Sequence, residues 1–265
     1  MTSLKCASRC YTMCGIAVYS RVNNTCVTFR NRIHQSGFTV SRKAGCVVIY
    51  KNDAAFMQDW TLVFRAQAGI GHPVVDYWSS KGKQDDNPLS ETFPASCLRF
   101  DKSSSCDRHF RSYILDNWKN IVQVRYSLYR EGKEVSYIVF NGTGSNGTSW
   151  FQQSRILSTS WTKLKNEGPI EHFTLLVFEN DVSKRSFYIF GPHNGCGTDY
   201  ALTFIIERDK DACAEIWQVQ SVPVPVFIYS LKDSYVTVKR KGNEYIGLAD
   251  AAAVFVKFGD IFADV

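Results

Sequence analysis

The sequence lacks the motifs that identify common catalytic chemistries. It contains no G-x-S-x-G nucleophile elbow, no P-loop, no dinucleotide-binding fingerprint and no H-E-x-x-H zinc motif. No apolar run approaches the ~20 residues that a membrane-spanning helix needs. Basic residues form a run of three only at Lys239-Arg240-Lys241, and no nucleic-acid-binding pattern accompanies them. We therefore expect a folded protein with no membrane span and no nucleic-acid partner.

The cysteines lack a metal-binding pattern as well. Nine are present, and the first three are spaced C-x3-C-x3-C, which does not match the paired ligands of a zinc site. Disulfide bonds fit better, because three N-glycosylation sequons indicate the same oxidising secretory compartment. The sequons begin at Asn23, Asn141 and Asn146. The sequence thus predicts a secreted, extracellular glycoprotein stabilised by disulfide bonds.

The first residues lack the apolar segment of a secretory signal peptide. If the protein is secreted, we expect its signal peptide to precede residue 1. The odd number of cysteines indicates the same, since one bridge partner would then also lie upstream.

A hairpin between residues 121 and 140 is the clearest structural pattern. Val122, Val124, Tyr126 and Leu128 alternate with polar residues, which is typical of a half-buried strand. Gly132 supplies the turn before a second strand, and a glycine-rich loop over residues 141–149 follows. The hairpin indicates an antiparallel sheet.

Short strands recur along the rest of the chain, separated by turn residues. Beyond the hairpin, we predict strands at residues 15–20, 26–29, 46–50, 59–66, 173–178, 185–190, 202–207, 224–229, 235–239 and 252–257. Phe110, Ile114 and Trp118 fall at helical spacing and predict a helix over residues 107–120. The fold class is therefore mainly β, as an antiparallel β-sandwich with a few short helices and a small disulfide-rich α+β segment at the start.

Residues 1–50 contain CASRCYTMCGIAVYS followed by NNTCVTF, which predicts a cysteine-bearing helix and two strands. This arrangement resembles the second half of a PAN/apple domain. The resemblance implies bridges Cys6–Cys26 and Cys10–Cys14, and it leaves Cys46 to pair upstream. An unrelated disulfide knot is the alternative.

Residues 56–265 form the predicted main domain. The blocks DWTLVFRAQAG, VDYWSS, YIVFNGTGSNGTSWFQQSRILSTSW, RSFYIFGPHNGCGTDYAL, CAEIW and GLADAAAVFVKF occur there in this order. Together they resemble secreted invertebrate proteins that include uncharacterised skeletal organic matrix proteins of corals. The resemblance implies an extracellular, disulfide-stabilised domain and indicates no mechanism.

Two local bridges are predicted in the main domain. Cys97 and Cys106 flank a serine-rich turn, and Cys196 and Cys213 bracket a predicted strand. The segment 191–199 between Phe190 and Tyr200 holds His193, Asn194, Asp199 and three glycines, so it is either a rigid binding loop or a disulfide-anchored turn.

Candidate site residues are few. His193, His172 and His72 are the candidate bases if the protein is an enzyme, and Trp78, Trp150, Asn194 and Asp199 are the candidate ligand-binding residues. Asp85, Asp86, Asn87 and Glu91 cluster oxygens that could hold calcium or could be solvated loop charge. No other cofactor is predicted.

Two functions remain open. The first is an extracellular recognition or matrix module that binds protein, glycan or a surface. The alternative is a secreted oxidase or luciferase-type oxygenase acting on a small aromatic substrate, since such chemistry can require little more than a base in a dry cavity. An enclosed pocket holding a histidine would favour the enzyme, and an open surface would favour the module.

Overall fold

The computed structural model describes the backbone of residues 16–20, 25–29, 38–43 and 46–51, and it describes residues 60–82, 93–100, 106–165, 170, 172–176, 178–180, 183–191, 196, 200–237 and 245–259. Several predicted features lie outside these residues. They are the bridges Cys6–Cys26 and Cys10–Cys14, the sequon at Asn23, the candidate calcium ligands, and His193, Asn194 and Asp199.

A four-stranded antiparallel sheet precedes residue 52. Its strands are β1 (Ile16–Ser20), β2 (Thr25–Phe29), β3 (Phe38–Lys43) and β4 (Cys46–Lys51), in the spatial order β2-β1-β4-β3. The strands at β1, β2 and β4 agree with the prediction. The third strand, β3, was not predicted, and it pairs with β4 along its whole length.

A six-stranded antiparallel sheet carries the predicted hairpin. Its strands are β5 (Thr61–Gln67), β6 (Phe110–Arg111), β7 (Ile121–Arg130), β8 (Lys133–Asn141), β9 (Ile156–Thr159) and β17 (Ala251–Phe258), in the order β6-β5-β17-β7-β8-β9. The last described strand, β17, lies in the middle of this sheet, because it pairs with β5 on one side and with β7 on the other.

A seven-stranded antiparallel sheet forms the second layer. Its strands are β10 (His172–Thr174), β11 (Phe178–Asn180), β12 (Ser183–Phe190), β13 (Tyr200–Ile206), β14 (Val226–Ser230), β15 (Val236–Thr237) and β16 (Ile246–Ala249). The strand predicted over residues 173–178 is instead two short strands, β10 and β11, that both pair with β12. The strand β16 was not predicted.

The main core lies between the two larger sheets. Tyr126 of β7 stacks on Phe187 of β12, with ring centroids 5.2 Å apart, and Phe140 of β8 packs edge-on against Trp150. All four side chains are buried, and each such burial contributes roughly 1.5–3 kcal/mol. The architecture is therefore mainly antiparallel β, as the sequence predicts.

The helix predicted over residues 107–120 is wrong. The structure has the short strand β6 there, followed by a 3-10 turn over Tyr113–Leu115 in which Ser112 Oγ accepts the Ile114 amide. Phe110 and Ile114 are nevertheless buried. Their spacing correctly indicated that both side chains are buried. They reach the core from a short strand and a turn, however, and not from one face of a helix.

The one α-helix among the described residues is α1 (Val74–Ser79). It was not predicted, and it buries Val74, Val75 and Trp78 at one edge of the sandwich. Its amide Val74 N donates to Glu207 Oε2 over 2.6 Å, so a distant carboxylate takes the place of a local cap.

A second apolar cluster covers the outer face of the seven-stranded sheet. Trp217 packs on Phe204 at 5.0 Å between ring centroids, within a segment tied down by the Cys196–Cys213 bridge. A buried ion pair, Arg185 Nη2 to Asp211 Oδ1 at 2.7 Å, anchors the same segment. Breaking such a pair on one side leaves an uncompensated buried charge.

The other described bridge joins Cys97 to Cys106, with Cα atoms 4.7 Å apart. Both bridges join the cysteines that the sequence pairs. Within the described residues, no helix is both long and apolar enough to cross a membrane.

Candidate functional site

An open groove of about 490 Å³ lies where the two larger sheets meet at one end of the sandwich. We call it the acidic groove, and its lining residues come from four separate parts of the sequence. They are residues 67–69 after β5, Glu131 in the β7–β8 turn, Val222, Pro223 and residues 225–227 leading into β14, and residues 248–250 between β16 and β17.

The first wall of the acidic groove is a glycine-bearing loop. Gly69 and Gly71 have φ angles of 73° and 74°, which disfavour any residue with a Cβ. Their amides donate to Pro225 O at 3.0 Å and to Val224 O at 2.7 Å. These bonds fix the loop of residues 68–73 against the strand that forms the opposite wall.

Two carboxylates form the rim. Glu131 N donates to Asp250 Oδ2 over 2.6 Å, so the tight turn of the hairpin holds the Asp250 side chain in place. The Glu131 side chain is 83% exposed and Asp250 is half-buried. A dissolved ligand can reach both carboxylates, and Glu131 Oε1 lies 3.9 Å from Arg130 Nε, so one of the two already has an exposed cationic neighbour.

The floor is apolar. Pro225, Val226, Phe227 and Ala249 are buried, while Leu248 is half-buried. Phe227 is only 1% exposed, so its ring offers no face for stacking. The apolar surface that a ligand can reach comes from Val222, Pro223 and Leu248, which are not buried, and it lies beside the negatively charged rim.

The buried side chain of His109 is hydrogen-bonded to two backbone groups of the loop beside the groove. His109 Nδ1 accepts the Gln67 amide at 3.0 Å, and Nε2 lies 2.8 Å from His72 O, to which it donates. This pairing requires the neutral tautomer protonated at Nε2. Burial lowers the pKa of His109 to about 4, so the side chain stays neutral at physiological pH.

Next to it lies a buried cation. Arg65 is fully buried, and its Nη2 donates to Gln67 Oε1 at 2.9 Å. Burial lowers the pKa of Arg65 to about 10, and the guanidinium lies 5.5 Å from the Phe100 ring centroid. Gln67 Nε2 in turn donates to Asp250 O over 3.2 Å, which links this cation to the rim.

A buried carboxylate fixes the other end of the loop. Glu207 accepts Val74 N and is hydrogen-bonded to Ser186 Oγ. Burial raises the pKa of Glu207 to about 7. His109 and Glu207 therefore hold the two ends of the loop of residues 68–73, and neither had a sequence signal beyond its residue type.

The sequence-predicted site residues lie elsewhere. His72 is exposed, although its carbonyl binds His109, and His172 is half-buried in β10 opposite Phe190. Trp78 and Trp150 meet with ring centroids 6.0 Å apart, but both are buried in the core. The structure thus brings the two tryptophans together as packing residues. No described histidine is part of the groove lining.

The sequons at Asn141 and Asn146 lie on an exposed loop after β8, where both asparagines are exposed. No group of three or more His, Cys, Asp or Glu residues capable of holding a metal ion occurs among the described residues.

No protein-family model, curated protein or solved structure matches the chain. The resemblances stated from the sequence therefore remain predictions.

Proposed function

We propose that this protein is an extracellular recognition module whose acidic groove binds an extended, basic segment of a partner protein. The observation that carries the proposal is the joint presence of the Glu131 and Asp250 carboxylates above an apolar floor. A lysine or arginine side chain matches this combination, because its methylene stem packs on apolar surface while its charge meets a carboxylate.

A protein segment fits the acidic groove better than a glycan or a small aromatic ligand. Sugar rings and aromatic ligands are held largely by stacking on exposed aromatic faces. Among the described residues that line the groove, Phe227 is the only aromatic one, and it is buried in the floor. Open peptide grooves instead take aliphatic side chains along a shallow base.

Secretion belongs to the same proposal. The disulfide bonds Cys97–Cys106 and Cys196–Cys213 suit an oxidising compartment, and the sequons at Asn141 and Asn146 are exposed. The matrix-protein and PAN/apple resemblances agree with an extracellular location.

Nothing among the described residues favours the oxygenase alternative. That chemistry needs a base inside a dry cavity, whereas the acidic groove is open. The candidate bases His72 and His172 lie outside its lining, and His193 lies outside the described residues.

A charge-matched peptide pair tests the proposal. We expect the full chain to bind a fluorescent peptide of alternating leucine and arginine, as measured by fluorescence anisotropy, and not its leucine–glutamate counterpart. Asp250→Asn keeps an oxygen that can accept the Glu131 amide but removes the charge, so it should weaken binding about two- to fivefold. Binding should also weaken as salt increases.

Asp209→Asn is the matched control, because Asp209 is an exposed acid outside the groove. Equal binding of both peptides, or equal losses in Asp250→Asn and Asp209→Asn, would contradict the proposal. So would the absence of any binding.

A further inference from the structure

Two asparagine–glycine–threonine triplets lie at the end of β8 and in the loop after it, and their hydrogen bonds differ. We propose that Asn146 is a site of spontaneous deamidation in the folded protein and that Asn141 is protected from it. The triplets Asn141-Gly142-Thr143 and Asn146-Gly147-Thr148 share the same residues and differ in the residue before them, Phe140 or Ser145, so comparison with the unfolded chain isolates the effect of the fold. The inference does not rest on the acidic groove, and it applies to the chain that carries no glycan on Asn146.

The reaction requires only water. The Gly147 nitrogen, after losing its proton, attacks Asn146 Cγ, and the bond from Cγ to Nδ2 breaks to release ammonia. Water then opens the resulting succinimide ring at either carbonyl, which leaves aspartate or isoaspartate. One neutral amide is replaced by one carboxylate, and no oxidant or reductant takes part.

Hydrogen bonds prepare the Asn146 side chain for this attack. Its Oδ1 accepts Thr148 N at 3.0 Å, Thr148 Oγ1 at 3.0 Å and Ser149 N at 2.9 Å. The first of these bonds folds the side chain back over the Gly147 peptide, as in an Asx turn. All three donors face the oxygen on which negative charge develops, which is the arrangement of an oxyanion hole.

The attacking nitrogen is also available. Gly147 N makes no hydrogen bond in the described structure. A Cβ at Gly147 would meet only Leu115 O, at an ordinary distance of 3.6 Å, so Gly147 is not crowded on that side, and its carbonyl accepts Trp150 Nε1 at 3.1 Å.

Asn141 has a similar turn but a blocked nucleophile. Its Oδ1 accepts Thr143 N at 3.0 Å, and no other donor among the described residues reaches it. Gly142 N donates to Val122 O at 2.9 Å, which keeps its proton and its peptide plane in place. Gly142 is also crowded, since a Cβ there would lie 2.9 Å from Ile121 Cγ2.

The test is peptide mapping of the intact, folded chain after incubation in mildly alkaline buffer. The protein must come from a host that adds no N-glycans, because a sugar on Nδ2 prevents ammonia from leaving. We expect Asn146 to convert at least about tenfold faster than Asn141 in the native protein. In urea, where neither fold-derived effect survives, the two rates should become equal.

A pair of variants isolates the hydroxyl donor. Thr148→Val removes Oγ1 and keeps the backbone donor, so it should slow conversion of Asn146 about threefold, an effect smaller than in a buried oxyanion hole because the loop is exposed. Thr148→Ser keeps a hydroxyl and should convert like the original chain. Equal native rates at Asn141 and Asn146, or faster conversion of Asn141, would overturn the proposal, and an unchanged rate in Thr148→Val would overturn the role given to the hydroxyl.

Discussion

His109 and Glu207 hold the two ends of one loop, yet their contributions to stability depend on pH in opposite directions. The pKa of His109 is lowered from 6.5 to about 4, so its contribution is present above 6.5 and is lost as the pH falls. The pKa of Glu207 is raised from 4.5 to about 7, so its contribution is present below 4.5 and is lost as the pH rises. Between pH 4.5 and 6.5, where both groups titrate, a rise in pH increases the contribution of His109 to the free energy of unfolding and decreases that of Glu207.

The variant Glu207→Gln separates the two effects. Glutamine resembles the protonated carboxyl group, so the variant should match the original chain near pH 4.5. Above pH 7 the original chain carries a buried charge, and the variant should be more stable by roughly 3 kcal/mol, an upper estimate from the size of the pKa shift. Urea unfolding at a series of pH values measures this difference directly.

Groups that titrate identically in both proteins cancel in that comparison. Asp116, whose pKa is lowered by hydrogen bonds from the Arg111 guanidinium, is one of them. The exposed Glu215 provides the control, since Glu215→Gln should leave the pH profile unchanged. A constant difference between Glu207→Gln and the original chain at all pH values would show that burial does not shift this carboxyl group.

At the scale of elements, the pairing of β14 with β16 depends on one glycine. Gly247 lies opposite Tyr229, and the tyrosine ring covers the glycine backbone. A Cβ at position 247 would lie 2.2 Å from Tyr229 Cζ. Since Tyr229 is itself buried, the ring cannot move aside without disturbing the core.

We therefore expect Gly247→Ala to reduce the free energy of unfolding by about 2 kcal/mol, the typical cost of overpacking a buried site. Gly147→Ala is the matched control, because its Cβ would make only an ordinary 3.6 Å contact. Chemical denaturation of the two variants compares them. Equal stability would mean that the Tyr229 ring does not pack on β16 in solution.

The elements that could be predicted from sequence are those with a local pattern. Local apolar patterns between turn residues located β7, β8, β12 and β17 to within a few residues. The helix α1 has only six residues, and the carboxylate that caps it belongs to Glu207, far along the chain. No local pattern encodes such a contact. The spacing of Phe110 and Ile114 was wrongly read as helical because irregular backbone can also bury residues at that interval.

At the scale of the whole molecule, the strand β17 joins the start and the middle of the main fold. Ala252, Val254 and Val256 face the main core, while Ala251, Ala253 and Phe255 pack on the opposite face. A strand buried on both sides reads as a continuous apolar run, and the segment AAAVFV has this composition.

The acidic groove could not be predicted because it exists only after the two larger sheets have packed. Gln67, Glu131, Pro225 and Asp250 are far apart in sequence, and each alone is an unremarkable residue. The predicted site residues were chosen by chemical type, which identifies aromatic and histidine side chains but does not indicate where separate loops converge.

Hydrogen exchange of the full chain, with and without the leucine–arginine peptide, shows whether the acidic groove is the binding site. We expect the peptide to slow amide exchange in residues 67–69, 222–228 and 248–250, which line or border the acidic groove. Exchange around His172 and in α1 should not change. Slower exchange confined to those two regions, with the groove unaffected, would contradict the account.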